Sequence, residues 1–309
     1  MKLRIGTRRS PLARIQTGLV CDSLRAADPT VEIEVVALET SGDRIRDRPL
    51  RDSGGKGLFV KELDEALCAG VIDCAVHSLK DLPSVLSDGV FLAAVPSRAD
   101  PRDALVTIGG TALEALPNGA RIGTSSPRRA ALLLALRPDL EIELLRGNVE
   151  TRLRRVVGGE FDATLLAVAG LERLALELRP AVAVPLDPDT FVPAPGQGAL
   201  GITARERDAG TLTLLATIED RSARAAAEAE RGAARALGGS CWLPVGAYAR
   251  ADAERVRLSA VLASPDGRRS IRRNGAGEAA RAERIGQAVG DAILEAGGRE
   301  IVGTLQHAS

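Results

Sequence analysis

Aromatic side chains make up only 2% of the 309 residues, with one Trp and one Tyr, so the cores must be built from Ala, Leu and Val. Lysine is scarcer still: of 41 basic residues 37 are Arg, and only Lys2, Lys56, Lys61 and Lys80 are Lys. Histidine is confined to His77 and His307, which leaves a nucleophilic cysteine poorly supplied with a base. The four cysteines, Cys21, Cys68, Cys74 and Cys241, contain no C-x-x-C pair. That disfavours a zinc ribbon or a thioredoxin-like site and fits reduced thiols; no metal site is expected. A formal net charge of zero argues against a nucleic-acid binder that relies on bulk charge. No apolar run approaches the roughly eighteen residues of a membrane span, and Lys2, Arg4, Arg8 and Arg9 interrupt the amino terminus where a secretory signal needs an apolar stretch. The expectation is a cytoplasmic protein without membrane or nucleic-acid partners, and nothing demands more than a monomer.

With 45% hydrophobic residues, the length suits two or three domains. Strand-like Lys2–Gly6 and Val31–Leu38 flank a helix that Ser10-Pro11 would cap and start. A polar loop over 39–55, a helix at 58–69, and strands at 73–76 and 91–95 complete a first alternating series. A second one follows the linker at 96–101, with strands near 104–107, 121–123, 141–144 and 163–167 and helices at 127–136, 149–157 and 168–175. The proline-rich stretch 185–195 reads as a second crossing, and Ala199–Ala204 as a strand rejoining the first sheet. From about Ile218 the texture changes to an Ala-rich helix (219–237), strands near 245–250, 255–263 and 268–274, and a helix over 278–296. The expected fold class is therefore α/β, two lobes flanking a cleft plus a small α+β domain. The boundaries fall at 1–96 with 197–215, at 101–192 and at 218–309. Charges on the Ala-rich helix read as solvated, and Cys21, Cys68 and Cys74 as core residues.

Chemistry concentrates in a few places. A Lys in an Arg-rich chain suggests a site where the planar fork will not serve, which singles out Lys80 beside Asp81 at the end of an apolar strand. His77 reads as a strand-end residue hydrogen-bonded in place. Three helix starts, Thr7-Arg8-Arg9-Ser10-Pro11, Thr124-Ser125-Ser126-Pro127-Arg128-Arg129 and Arg146-Gly147-Asn148-Val149-Glu150-Thr151-Arg152, each combine caps, free backbone N–H groups and Arg. Such turns attract anions, so three around one cleft point to a ligand with several negative groups, phosphate or carboxylate. Cys241, in Gly238-Gly239-Ser240-Cys241-Trp242, is as well placed for a reactive thiol as for a core residue. A thiol without a base suggests attachment rather than turnover. A two-lobed binding protein for small polyanions remains an alternative to an enzyme.

Six motifs in register, Thr7-Arg8-x-Ser10-Pro11, Gly54-Gly55-Lys56-Gly57-Leu58-Phe59, Ala75-Val76-His77-Ser78-Leu79-Lys80-Asp81-Leu82-Pro83, Gly123-Thr124-Ser125-Ser126-x-Arg128-Arg129, Arg146-Gly147-Asn148-Val149-x-Thr151-Arg152 and Pro195-Gly196-Gln197-Gly198, resemble the porphobilinogen deaminase (hydroxymethylbilane synthase) family over essentially the whole chain. The resemblance implies two lobes like those of periplasmic binding proteins and a dipyrromethane cofactor joined by thioether to Cys241. It implies the substrate porphobilinogen, four units of which would be joined with loss of ammonia. Asp81 would be the catalytic acid and base. Ser78, Lys80, Thr124, Ser126, Arg128, Arg129 and Arg152 would hold the cofactor, and Arg8, Ser10, Arg146, Arg152 and Arg173 the substrate and growing chain. Trp242 departs from the Gln common after the family's cysteine.

Overall fold

Ser10 caps the first helix as its sequence predicts: the hydroxyl accepts from the Ala13 N–H at 3.3 Å and Pro11 takes the first helical position. The computed structural model describes residues 2–41, 60–239 and 242–307. The expected loop beyond Ser41, including Lys56, and the expected anchor Cys241 lie outside them.

The first lobe is a five-stranded sheet in the order β2-β1-β3-β10-β4. β1 (Lys2–Arg8) pairs parallel with β2 (Glu32–Leu38) and β3 (Cys74–Ser78), and β10 (Leu200–Arg205) runs antiparallel between β3 and β4 (Val90–Ala94). Helices α1 (Pro11–Ala27) and α2 (Lys61–Cys68) pack against it. The second lobe repeats the plan in the order β7-β6-β8-β5-β9. Here β6 (Arg121–Gly123) lies parallel to β7 (Glu141–Glu143) and β8 (Ala163–Ala167), and β5 (Asp103–Ile108) is the antiparallel strand between β8 and β9 (Ala181–Pro185). Its helices are α3 (Pro127–Leu136), α4 (Val149–Val157) and α5 (Val168–Leu174). After β10 and α6 (Ala209–Ala216), α7 (Arg221–Ala236) leads into an antiparallel meander of β11 (Val245–Ala251), β12 (Arg255–Ala263) and β13 (Ser270–Glu278), then α8 (Ala282–Ile293) and α9 (Arg299–His307). Two α/β lobes and a small α+β unit are present, as expected.

The differences from expectation have local causes. β9 has no counterpart among the expected elements, since only its last residue, Pro185, falls in the expected crossing at 185–195 and the short Ala/Val run before it carries no alternation; pairing with β5 makes it a strand. α6 is apolar all round and so offers no helical stripe to read. The helix expected over 278–296 starts late because β13 keeps pairing with β12 as far as Glu278, and it breaks at Gly297, whose φ is 103°. Cys68 is exposed rather than buried, because α2 turns Leu63, Asp64 and Leu67 inward and the next position faces away.

The Ala-rich α7 is not simply a solvated helix. Its small residues let α8 approach so closely that a Cβ at Gly286 would lie 2.0 Å from the Ala229 carbonyl oxygen. Two of its charges are buried, Glu230 at 0% exposure and Arg231 at 8%. Glu230 accepts from Arg98 at 2.7 and 3.2 Å, from the Gly196 N–H at 2.6 Å and from the Ala249 N–H at 2.7 Å. One carboxylate thus ties both interlobe crossings to β11. Trp242 packs against the third core.

Candidate functional site

The carboxyl end of β3 supplies the first lobe's contribution. After Ser78 the chain makes a single 3-10 turn, Leu79–Asp81, closed by the Leu82 N–H on the Leu79 carbonyl at 3.1 Å. Asp81 leaves the sheet there with 37% of its side chain exposed, and Arg8 Nη1 stands 3.9 Å away, too long for a hydrogen bond. Arg8, Ser10, Gln16, Val60, His77, Ser78 and Asp81 line a recess of about 50 Å³. Gln16 and Ser78 pair through both amide atoms at 2.9 and 3.1 Å. His77 is buried against the Thr203 hydroxyl at 3.0 Å, and burial with Arg8 nearby pushes its pKa down to about 3. The buried, hydrogen-bonded ring agrees with the strand-end reading of His77.

Lys80 points the other way, toward the second lobe. Its ammonium donates to Gln197 Oε1 at 3.3 Å, and Gln197 in turn donates to the Pro101 carbonyl at 2.8 Å. Burial, helped by Arg129 and partly offset by Asp81, lowers its pKa to about 8.

The second lobe presents cations. Thr124 is buried and accepts from the Ser126 N–H at 3.2 Å, while Ser126 caps α3 by accepting from the Arg129 N–H at 3.4 Å. Arg128 and Arg129 are buried and share Asp103. Arg129 Nη2 lies 2.7 Å from Oδ1, and Arg128 Nη1 lies 2.9 Å from Oδ2 while donating to the Val192 carbonyl at 2.9 Å. Arg129 also donates to the Leu165 carbonyl at 2.7 Å. Burial alone would raise the Asp103 carboxyl, but the two guanidinium groups outweigh it and hold its pKa far below the usual carboxylate range. Two cations on one anion leave a surplus positive charge. Arg152 donates to the Gly147 carbonyl at 2.9 Å, and burial together with Arg129 and Arg146 depresses its pKa to about 10, an effect Asp81 opposes. It stays charged at neutral pH. Arg173 bridges from α5 to the Gly198 carbonyl at 2.8 Å.

The predicted residues of the two lobes therefore converge: Arg8, Ser10, Ser78, Lys80 and Asp81 on one side, Thr124, Ser126, Arg128, Arg129, Arg146 and Arg152 on the other. Arg173 is turned to the second crossing. The arrangement fits a polycarboxylate such as dipyrromethane on a direct observation. Arg128 Nε and Arg146 Nε are buried with no acceptor among the described residues. An unmade hydrogen bond of this kind costs about 1–3 kcal/mol, which an incoming carboxylate would recover. Asp103, Gln16 and Gln197 were not singled out from sequence. Asp103 follows a linker and Gln16 lies within a helix stripe, while Gln197 was noted only as part of its motif.

Comparisons with known proteins converge as well. The family model "Porphobilinogen deaminase, dipyromethane cofactor binding domain" matches residues 3–213, and "Porphobilinogen deaminase, C-terminal domain" matches 224–295. A porphobilinogen deaminase of Roseiflexus sp. (strain RS-1) is 49% identical over 97% of this chain and 98% of its own length. One from Sorangium cellulosum (strain So ce56) is 50% identical over 94% of this chain and 97% of its own, and one from Syntrophobacter fumaroxidans (strain DSM 10017 / MPOB) is 47% identical over 97% and 96%.

Proposed function

The chain belongs to the porphobilinogen deaminase family, and on that premise we propose how its residues divide the work of the reaction. The enzyme is a hydroxymethylbilane synthase, a transferase of tetrapyrrole synthesis. It joins four porphobilinogen molecules head to tail with loss of ammonia, and water then releases the linear product. A bound dipyrromethane supplies the pyrrole end to which units are added.

Cys241 anchors that group by a thioether, a role that needs no base. Ser78, Lys80, Thr124, Ser126, Arg128, Arg129 and Arg152 hold its carboxylates, and Arg8, Ser10, Arg146, Arg152 and Arg173 grip the incoming substrate and the growing chain. Asp81 gives a proton to the departing amine, faces the positive charge that develops as ammonia leaves, and takes up the pyrrole proton afterwards. A carboxylate suits all three tasks, since it both carries a proton and favours a neighbouring cation. Three domains, 1–96 with 197–215, 101–192 and 218–309, carry this machinery, a division supported by the three separate sheets. The protein works in the cytoplasm as a monomer. No helix among the described residues is long and apolar enough to cross a membrane.

The observation that carries this reading is that Arg152 lies within electrostatic reach of Arg129 and Arg146 of its own lobe and of Asp81 of the other, with a buried Arg146 N–H in want of an acceptor. Intact mass of the purified protein is the test. The expected result is the mass of a dipyrromethane on the peptide containing Cys241, a positive Ehrlich reaction and ammonia release from porphobilinogen. Unmodified Cys241 in active protein would overturn the anchor, and binding without ammonia release would favour a polyanion-binding protein.

A further inference from the structure

The turn Leu82-Pro83-Ser84, directly after Asp81, is gripped from the third unit. Arg231 of α7 donates to the Pro83 carbonyl at 2.9 Å and the Ser84 carbonyl at 3.3 Å, and it reaches the Leu82 carbonyl at 3.5 Å. Its side chain is buried, and burial, with Arg235 and Arg224 adding to it, lowers its pKa to about 10, so it is a cation at neutral pH. The charge is met by a fan of carbonyl oxygens, an arrangement that suits the several N–H groups of a planar guanidinium. The same turn is touched from a second direction. Gly239, with φ of 63°, lies so close that a Cβ there would stand 2.2 Å from Ser84 Oγ. Gly239 is two residues before Cys241. A single turn therefore has Asp81 at its entrance, Arg231 across its carbonyls and Gly239 against its Ser84.

We propose that Arg231 is a positioning residue for the reaction: by fixing the 82–84 turn it sets where Asp81 stands relative to the group anchored on the Cys241 loop. Nothing about Arg231 requires contact with substrate. Its effect passes through the backbone of three residues, and displacing a catalytic group by about an ångström is enough to cost up to a hundredfold in rate. The inference rests on the assignment of the proton-handling role to Asp81.

The test compares Arg231→Gln, Arg231→Lys, Asp81→Asn and Arg235→Gln as purified holoenzymes, with kcat and KM for porphobilinogen, intact mass and thermal midpoint measured for each. Arg235 lies one turn further along α7 and pairs with Glu283 near the surface. Its variant should turn over at the normal rate. Arg231→Gln should carry the full cofactor mass and keep KM within about twofold, while kcat falls by about tenfold to a hundredfold. Arg231→Lys, which keeps the charge but not the fork, should recover part of the loss and stands as the test if the Gln variant does not fold. Wild-type kcat in the Lys variant and, where it folds, the Gln variant, or a loss that only tracks missing cofactor mass, would overturn the positioning role. Normal turnover in Asp81→Asn would instead remove the premise while leaving the Arg231 measurements interpretable.

Discussion

The first strand-to-helix turn of each lobe uses the same device and then departs. In the first lobe Thr7 precedes Ser10-Pro11; in the second Thr124 precedes Ser126-Pro127, and in both the serine caps the helix through the N–H three residues on. The next two residues are Leu12-Ala13 in one lobe and Arg128-Arg129 in the other. Under the first turn the Thr17 hydroxyl donates to Thr7 at 2.7 Å or the Ala13 carbonyl at 2.9 Å, so the floor is neutral. Beneath the second, Asp103 holds two guanidinium groups. Equivalent backbone thus serves unlike ends: in the first lobe Leu12 and Ala13 join Arg8, Gln16 and Ser78 around the carboxylate proposed to react, and in the second two buried guanidinium groups leave a surplus of positive charge. The lobes differ in chemistry because two side chains after a shared cap differ.

The largest effect expected from breaking this division is at Asp81. Asp81→Asn should fold and carry its cofactor, yet lose about a hundredfold to ten-thousandfold in turnover, the range general acid–base catalysis supplies. Wild-type turnover would move proton handling elsewhere. Next comes the floor of the second lobe. Asp103→Asn leaves two buried guanidinium groups without their anion, a loss of about 3–5 kcal/mol, whereas Thr17→Val in the first lobe forfeits a neutral hydrogen bond worth about 1 kcal/mol. Urea unfolding of the two variants compares them directly, and equal losses would erase the contrast. The sign of the pH dependence follows. Because the folded Asp103 pKa is depressed, its contribution is full above about pH 4 and is lost as pH falls through the unfolded value toward the folded one. The Asn variant should lack that component of acid lability. The smallest effect concerns Lys80. Its pKa of about 8 means an empty site is protonated below pH 8 and neutral above it. The rate at which cofactor-free protein acquires its covalent group, followed by mass from about pH 7 to 9.5, should therefore decline as pH passes 8. Lys80→Met should show no such inflection.

Local signals were legible in the sequence and long-range ones were not. Ser10, Ser126 and Asn148 announced their helices, and all three caps are made. The Arg-bearing turns and Lys80-Asp81 could be found because each is a short constellation on a strand end or cap. Asp103 acts 26 positions from Arg129, and Glu230 reaches Arg98 across 132 positions. Neither has a neighbour in sequence that hints at its partner. In α7 the pattern even misled: a Glu-Arg pair amid alanines has the composition of a solvated helix, and only packing against two other units reveals that both charges are interior.

The interleaving of the strands also sets an order on synthesis. The second lobe's sheet is drawn from residues 103–185 and has all its strands once Pro185 has been made. The first lobe starts earlier but finishes later, since among the described residues β4 has no partner in its sheet other than β10, and β10 ends at Arg205. On the ribosome the amino-terminal half of the cleft therefore waits, with a gap between β3 and β4, until its younger counterpart is built. Asp81, at the rim of that gap, is among the first functional residues translated, yet its sheet is completed only after the arginines it faces have been made.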